Sequence, residues 1–272
     1  MKKLLLISVL GVALNGASLN DFRGKEATIS IAGGTAHIPT MKEVAKKING
    51  VNSSIKIAIA GGGSGVGIKK VSKNLVDIGN AGRKASEQEI KSGNLKLYKW
   101  AIDGIAVVVN KDNNITSLSK EQIKDIFSGK VANWKSLGGV DSKINIYTRD
   151  KSSGTRKVFS KKLLDKGDIA NSAVLVTSNG AMKRAITEDK SSIGFMSAGF
   201  VDATINGVAV DGVAPSVENI KSGKYKYVRG LYSITKGEPT GVVKTFIEYL
   251  FSKDVQEGIV AKKGFIPVKW SF

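Results

Sequence analysis

The densest chemistry in the sequence lies in Tyr147-Thr148-Arg149-Asp150-Lys151-Ser152-Ser153-Gly154-Thr155-Arg156-Lys157-Val158-Phe159, where an arginine and a run of hydroxyls stand directly before a segment of helical character. Backbone N–H groups in the first turn of a helix have no intrahelical acceptor and sit at the positive end of its dipole, so such a place gathers anions. Arg149 adds a planar, charge-assisted grip, Ser153 and Thr155 add hydroxyls, and Gly154 has no side chain to hold an anion off the backbone. This is the chemistry of recognising a tetrahedral oxyanion. The competing reading of the same letters is an ordinary N-cap, a position that serine and threonine favour.

Two further loops are set out in the same way. Thr28 to Ala32 reads as a strand that runs into Gly33-Gly34-Thr35-Ala36, followed by a helix with Ile38, Met41, Val44, Ala45 and Ile48 on one face. Ile55 to Ile59 reads as the next strand, Gly61 to Gly65 as its loop, and Ile68, Val71 and Leu75 as the apolar face of the helix beyond. Ile144 to Tyr147 is then the strand that feeds the Arg149 segment. Strand patterns at Val76–Gly79, Ile105–Val109, Ile193–Met196 and Tyr227–Ile234, with helices over Lys120–Phe127 and Val242–Phe251, complete an alternating α/β chain. Ligands of open α/β sheets bind beyond the carboxyl ends of the strands, which makes the three loops candidates to meet at one site.

Several chemistries fail on spacing or residue type. A phosphate-binding P-loop needs lysine directly after its last glycine, but Gly67 is followed by Ile68, and no register of the loop fits the dinucleotide pattern. A nucleophile elbow around Ser64 would need glycine at Val66, so Ser64 reads as a hydrogen-bond donor, with a plain glycine-rich turn as the alternative. His37 is the only histidine and reads as structural; with no cysteine in the chain, no triad and no nitrogen or sulfur metal site is expected. The formal charge of +19 suggests anionic partners. Its lysines are scattered, however, and no nucleic-acid-binding signature is present, so nucleic acid is not an expected partner. The Lys161-Lys162 pair reads as solvated surface, Glu87 and Glu89 as exposed helix residues, and Trp100, Trp134 and Trp270 as core or lobe-contact residues.

Lys2 and Lys3 precede an apolar run from Leu4 to Leu14, the layout of a secretory signal peptide, with cleavage expected near Asn15, Gly16 and Ala17. A chain without cysteine has no site for a lipid anchor after cleavage, so a soluble exported protein of net charge +17 is expected once the two lysines leave.

Gly33-Gly34-Thr35-Ala36-His37-Ile38-Pro39, Gly63-Ser64-Gly65-Val66-Gly67-Ile68, Val76-Asp77-Ile78-Gly79, Arg149 with Ser153-Gly154-Thr155, and the ending Phe246 to Val268 appear in one order. Over nearly the whole mature length the chain thereby resembles the periplasmic phosphate-binding proteins of ABC transporters. The resemblance implies two α/β lobes, each a mixed sheet flanked by helices, with the ligand in the cleft between them. It places a signal peptide at 1–17, the first lobe at 18–104 and 230–272, and the second at 105–229, with crossings near Ile105 and Arg229. It implies a monomeric, non-enzymatic periplasmic receptor without a cofactor that hands inorganic phosphate to a membrane-embedded permease. Thr35, the Ala36 backbone and Ser64 would bind from the first lobe, and Arg149, Ser153, Gly154 and Thr155 from the second. Gly82 stands where many members carry the aspartate that accepts the proton of hydrogen phosphate, and Lys151 stands at a second acidic position. The acceptor role would then fall to Asp150 or a backbone carbonyl. A receptor for sulfate or molybdate on the same fold is the nearest rival, ahead of a secreted phosphatase or an adhesin for acidic polymers.

Overall fold

The structure, a computed structural model, describes residues 16–269. The signal segment expected over 1–17 lies outside the described residues except for Gly16 and Ala17, and Trp270 lies outside them too. From Ala17 and Leu19 onward the chain packs against the first hydrophobic core.

Strand β1 (Ala27–Gly33) ends on a glycine for a steric reason: Gly33 has φ +128°, and a Cβ there would come within 2.2 Å of the Asn80 carbonyl oxygen. The chain turns directly into α1 (Ile38–Val51), with Pro39 in the first turn where its missing N–H leaves no bond unmade, and buries Met41, Val44, Ala45 and Ile48. β2 (Ile55–Gly62) pairs with β1 in parallel, and α2 (Ser64–Ser72) begins within two residues of its end. That helix stops earlier than the apolar spacing suggests: Leu75 lies beyond it and is exposed. β3 (Ile78–Ala81) then pairs with the other edge of β1. α3 (Glu87–Gly93) follows, opened by the capping box of Ser86 and Glu89.

The longest strand, β4 (Leu95–Asn110), begins ten residues ahead of the apolar run Ile105–Val109 from which the sequence announces it. Beyond it come β5 (Ser117–Leu118), α4 (Lys120–Ser128), β6 (Asn145–Arg149), α5 (Gly154–Leu163), β7 (Val174–Val176), α6 (Asn179–Glu188), β8 (Ser192–Ser197), β9 (Ile205–Val210) and α7 (Val217–Lys221). The chain returns along β10 (Val228–Lys236) and closes with α8 (Gly241–Tyr249), α9 (Lys253–Val255) and the short β11 (Ile266–Pro267).

Hydrogen bonding runs along one path, β2-β1-β3-β10-β4-β8-β6-β7, with β9 and β11 also on β4 and β5 on β9. β4 changes partners midway, pairing with β10 from Leu95 to Gly104 and with β8 from Ile105 to Val109. Side chains divide at the same place. One core joins Ile29, Ile31, Met41, Trp100, Phe246 and Tyr249, so the C-terminal helices pack with the N-terminal strands. A second joins Ile105, Val107, Phe127, Trp134, Phe159 and Phe195, where Phe159 and Phe195 stack with ring centres 4.0 Å apart, and two smaller clusters lie around Ile68 and Ile234 and around Val108 and Met196. Among the described residues no helix is long and apolar enough to cross a membrane.

Candidate functional site

The N-termini of α1, α2 and α5 meet at the carboxyl ends of β1, β2 and β6, around a small cavity. All eight residues singled out from the sequence, Thr35, Ala36, Ser64, Gly82, Arg149, Ser153, Gly154 and Thr155, line it. Gly34, His37, Gly63 and Arg229 line it as well.

At α5 the Ser153 Oγ accepts the Arg156 N–H at 3.1 Å and the Ser153 carbonyl accepts the Lys157 N–H. The N–H groups of Gly154 and Thr155 precede the first intrahelical bond, which leaves them for a ligand. The N-cap reading holds, and it leaves the first turn facing the cavity: the side chain caps the helix while the backbone of Gly154 and Thr155 lines the cavity. Gly154 must be glycine, since a Cβ would stand 2.1 Å from the Ser64 Oγ.

Each of the four hydroxyls accepts from an N–H. Ser64 Oγ takes the Gly82 N–H at 2.9 Å, Ser153 Oγ takes Arg156 N–H, and Thr155 Oγ1 takes Arg229 Nη1 at 2.9 Å. Thr35 Oγ1 takes both the Asn179 N–H at 3.2 Å and its Nδ2 at 3.0 Å. A hydroxyl that accepts in this way has its O–H free to donate, so the neighbours orient all four as donors toward the cavity. Thr35, with both lone pairs engaged, has only its donor left.

Arg149 is 1 % exposed, and its Nε and Nη2 bond to the carbonyls of Val176 and Thr177, each at 3.1 Å. Its Nη1 is buried without a hydrogen-bond partner. Burial first, and then the charge of Arg229, pull its pKa down to about 10 against the opposing pull of Asp150, so it stays cationic at neutral pH. Arg156 Nη1 donates to the Arg149 carbonyl at 2.6 Å and fixes the cradle from behind. Arg229 has a counter-charge: Nε and Nη2 both lie 2.8 Å from Asp103 Oδ2, and Ser197 Oγ donates to Oδ1 at 2.9 Å. Burial raises the Asp103 pKa and Arg229 pulls it back down. Two guanidinium groups thus line the cavity, and one carboxylate, Asp103, is paired with Arg229 outside the lining, so the wall is left with positive charge.

His37 supplies no charge. Burial and the nearby Arg229 push its pKa down to about 3, and Nδ1 lies 3.1 Å from the Gly34 carbonyl oxygen, so it is a neutral wall packed edge-on against Trp100. Among the described residues there is no group of histidine and carboxylate side chains that could hold a metal ion.

Asp150 does not serve the cavity as acceptor. Its Oδ1 accepts from the backbone N–H and the hydroxyl of Ser152, closing the turn before α5, and Asp150 does not line the cavity. The sequence reading also missed Arg229 as a site residue, although it placed a crossing there. Arg229 and Asp103 are cross-strand partners on β10 and β4, and the available signal was Arg229 as a charge inside the strand pattern Tyr227–Ile234, since buried charges require partners. Contacts close the cavity from both sides: Gly65 N–H donates to the Ser152 carbonyl at 2.9 Å, and Ser152 Oγ, whose proton is shared with Asp150, lies 2.8 Å from the Gly62 carbonyl oxygen.

The profile of the PBP superfamily domain matches residues 23–254. The chain belongs to the PBP superfamily. Among PBP-superfamily relatives, the phosphate-binding protein PstS of Bacillus subtilis is 37 % identical over 93 % of this chain and 85 % of its own length. PstS of Borreliella burgdorferi is 30 % identical over 99 % of this chain and all of its own length. A Clostridium perfringens structure, described as a phosphate ABC transporter substrate-binding protein with bound phosphate, superposes with a TM-score of 0.83 at 34 % identity, covering 89 % of this chain and all of that one. An ABC-type phosphate transport receptor from Vibrio cholerae superposes with a TM-score of 0.71 at 32 % identity, over 88 % of this chain and all of its own. The fold is that of a two-lobed PBP-superfamily protein, a curled mixed sheet flanked by helices.

Proposed function

We propose that this protein is a receptor for inorganic phosphate that delivers it to a membrane-embedded ABC permease, and that it performs no catalysis. The observation that carries the reading is the buried, unpartnered Nη1 of Arg149 on a small cavity ringed by oriented hydroxyl donors and three helix N-termini. Such a site replaces the water shell of a small oxyanion and has no room for an organic ester. The two PstS relatives and the two transporter structures support phosphate as that anion.

The ligand set is Thr35, Ala36, Ser64 and Gly82 from the first lobe and Arg149, Ser153, Gly154 and Thr155 from the second, with Arg229 added between them. The first lobe comprises 18–104 and 230–272 and the second 105–229, a division supported by the change of partner along β4 and by the two separate cores. Closure of the lobes then traps the anion, and the binding free energy holds them together. The protein works as a soluble, exported monomer in the periplasm, without nucleic acid and without a cofactor. If five or more donors each contribute about 1.5–3 kcal/mol before entropy and desolvation are charged, micromolar or tighter affinity is within reach.

Calorimetry of exhaustively dialysed protein with phosphate, arsenate, sulfate and molybdate tests this reading. Phosphate and arsenate binding at one site per chain is expected. Molybdate or sulfate binding without phosphate binding would replace phosphate by another oxyanion.

A further inference from the structure

The geometry points to a second anion site: a cationic groove beside the oxyanion cavity that binds a linear chain of condensed phosphate groups. The groove, of about 740 Å³, lies between the outer face of α5, the turn after β3 and the start of β10. It shares Arg229 with the cavity behind it. Lys84, Lys151, Arg156, Lys157, Lys161 and Lys166 line it, and no carboxylate does. Among the described residues its only ion pairs are Arg83 with Glu89 and Arg229 with Asp103. Elsewhere lysines such as Lys47, Lys120, Lys124 and Lys183 rest on carboxylates. The other cationic side chains that line the groove thus stand together without a carboxylate among them, and the Lys161-Lys162 pair belongs to this cluster. Lys162 is half-buried and gives Nζ to the Lys226 carbonyl at 3.1 Å, while burial and the neighbouring Lys161 lower its pKa, as expected of a crowded cationic surface.

The lining decides which polyanion fits. Lysine ammoniums are mobile point charges that suit phosphate oxygens without asking for a fixed geometry. No aromatic, asparagine or glutamine side chain lines the groove, so it offers no aromatic platform for a base and no amide to read an adenine. None of the exposed large apolar residues, Leu75, Val140, Val174, Leu175 and Val217, lines it either; its apolar side chains are Val158 and Val228, and a concave surface without large protruding apolar anchors is poorly matched to a bilayer. A slim, unbranched chain of phosphoryl groups meets every feature. Lys157 and Lys161 stand one helical turn apart on the exposed face of α5, whose ten residues offer a track of about 15 Å.

The test uses full-length mature protein saturated with orthophosphate, so that the groove is read separately from the cavity. Binding of linear polyphosphate, tripolyphosphate and a longer chain, is measured across a salt series for the wild type, for Lys157→Glu/Lys161→Glu and for Lys42→Glu/Lys46→Glu. The last pair lies exposed on α1 and changes net charge equally at a distant place. The longer chain should bind the wild type, weaken steeply with salt, and lose tenfold or more in the groove variant, against less than about twofold in the α1 variant. Lys157→Gln/Lys161→Gln, with an unchanged melting temperature, should lose an intermediate factor. Equal losses in the groove and α1 variants, absence of polyphosphate binding, or equal affinity for single-stranded DNA or anionic vesicles overturns the proposal. Orthophosphate affinity should stay within about threefold in every variant, and its failure to bind the wild type would count against the cavity reading alone.

Discussion

Arg229 closes over Gly82: its Nη1 lies 3.4 Å from the Gly82 carbonyl oxygen, and a Cβ on residue 82 would stand 2.6 Å from that nitrogen. The glycine and the arginine are a matched pair, one leaving the space that the other fills. Where the family resemblance leads one to expect an acceptor, this chain presents a donor.

Restoring the aspartate should therefore fail. In Gly82→Asp the new carboxylate meets the Arg229 guanidinium, competes with Asp103 for it and draws it off Thr155 Oγ1. Orthophosphate binding is expected to weaken by tenfold or more, about 1.4 kcal/mol or beyond, with no gain in preference over sulfate. Tighter phosphate binding in this variant, measured by calorimetry, would mean that Arg229 yields freely and is not part of the ligand set.

Arg149 has a double task, and its substitutions separate the parts. Arg149→Ala removes the guanidinium from the cavity and also strands the carbonyls of Val176 and Thr177, so affinity should fall by about 1.5–3 kcal/mol or more and the melting temperature of the unliganded protein should fall too. Sequence alone suggests a change in affinity only, because it does not reveal that the arginine ties β6 to β7. Lysine keeps the charge without the planar fork and should recover only part of the affinity. Wild-type affinity in Arg149→Ala would remove the residue from the site.

The legibility of the site in the sequence follows from how local its chemistry is. Ser153, Gly154 and Thr155 announce themselves because one helix N-terminus gathers them, and Thr35 and Ser64 because each follows a strand and a glycine turn. Asn179 and Arg229 come from distant elements and act on hydroxyls already chosen, a relationship only the assembled fold creates. The same distinction holds for the elements. Amphipathic α1 and buried β8 could be read from periodicity, whereas the first half of β4, Leu95 to Gly104, is half exposed and carries Lys96, Lys99 and Asp103, so no apolar run marks it. Glu89, which reads as an exposed helix residue, is held by Arg83 at 2.7 and 2.8 Å because the capping box at Ser86 turns it inward.

Stability should fall on mild acidification, and His37 should be the cause. Its folded pKa of about 3 lies below the ordinary 6.5, so between those values the unfolded chain binds a proton that the native protein refuses. Stability is lost as pH falls from the unfolded value toward the folded one, by up to about 1.4 kcal/mol per pH unit from this group. Glu89, held near 2 by Arg83, adds its own loss only once the pH falls below its ordinary 4.5. Urea midpoints at about pH 7 and about pH 5 should differ clearly in the wild type and much less in His37→Gln. An equal drop in both proteins would assign the acid sensitivity to other groups.

Selectivity against sulfate should be modest, for a reason visible in the hydroxyls. Hydrogen phosphate brings a proton that needs an acceptor, while sulfate brings none. No carboxylate lines the cavity, and Asp150 is spent on the Ser152 turn. Thr35 Oγ1 has both lone pairs taken by Asn179, but Ser64, Ser153 and Thr155 each accept one N–H and keep a second lone pair. A neutral hydroxyl oxygen is the remaining side-chain acceptor, and it neither binds a proton as firmly as a carboxylate nor repels sulfate as strongly. Phosphate should still be preferred, arsenate should compete well because it carries the same protons, and sulfate should displace phosphate measurably at millimolar concentration. Asp150→Asn should leave the phosphate-to-sulfate ratio within about twofold, since the residue only closes a turn. Competition by sulfate across a pH range reads the margin directly. A loss of preference confined to Asp150→Asn would return the acceptor role to that carboxylate, and equal affinities in the wild type would make the protein a general oxyanion receptor.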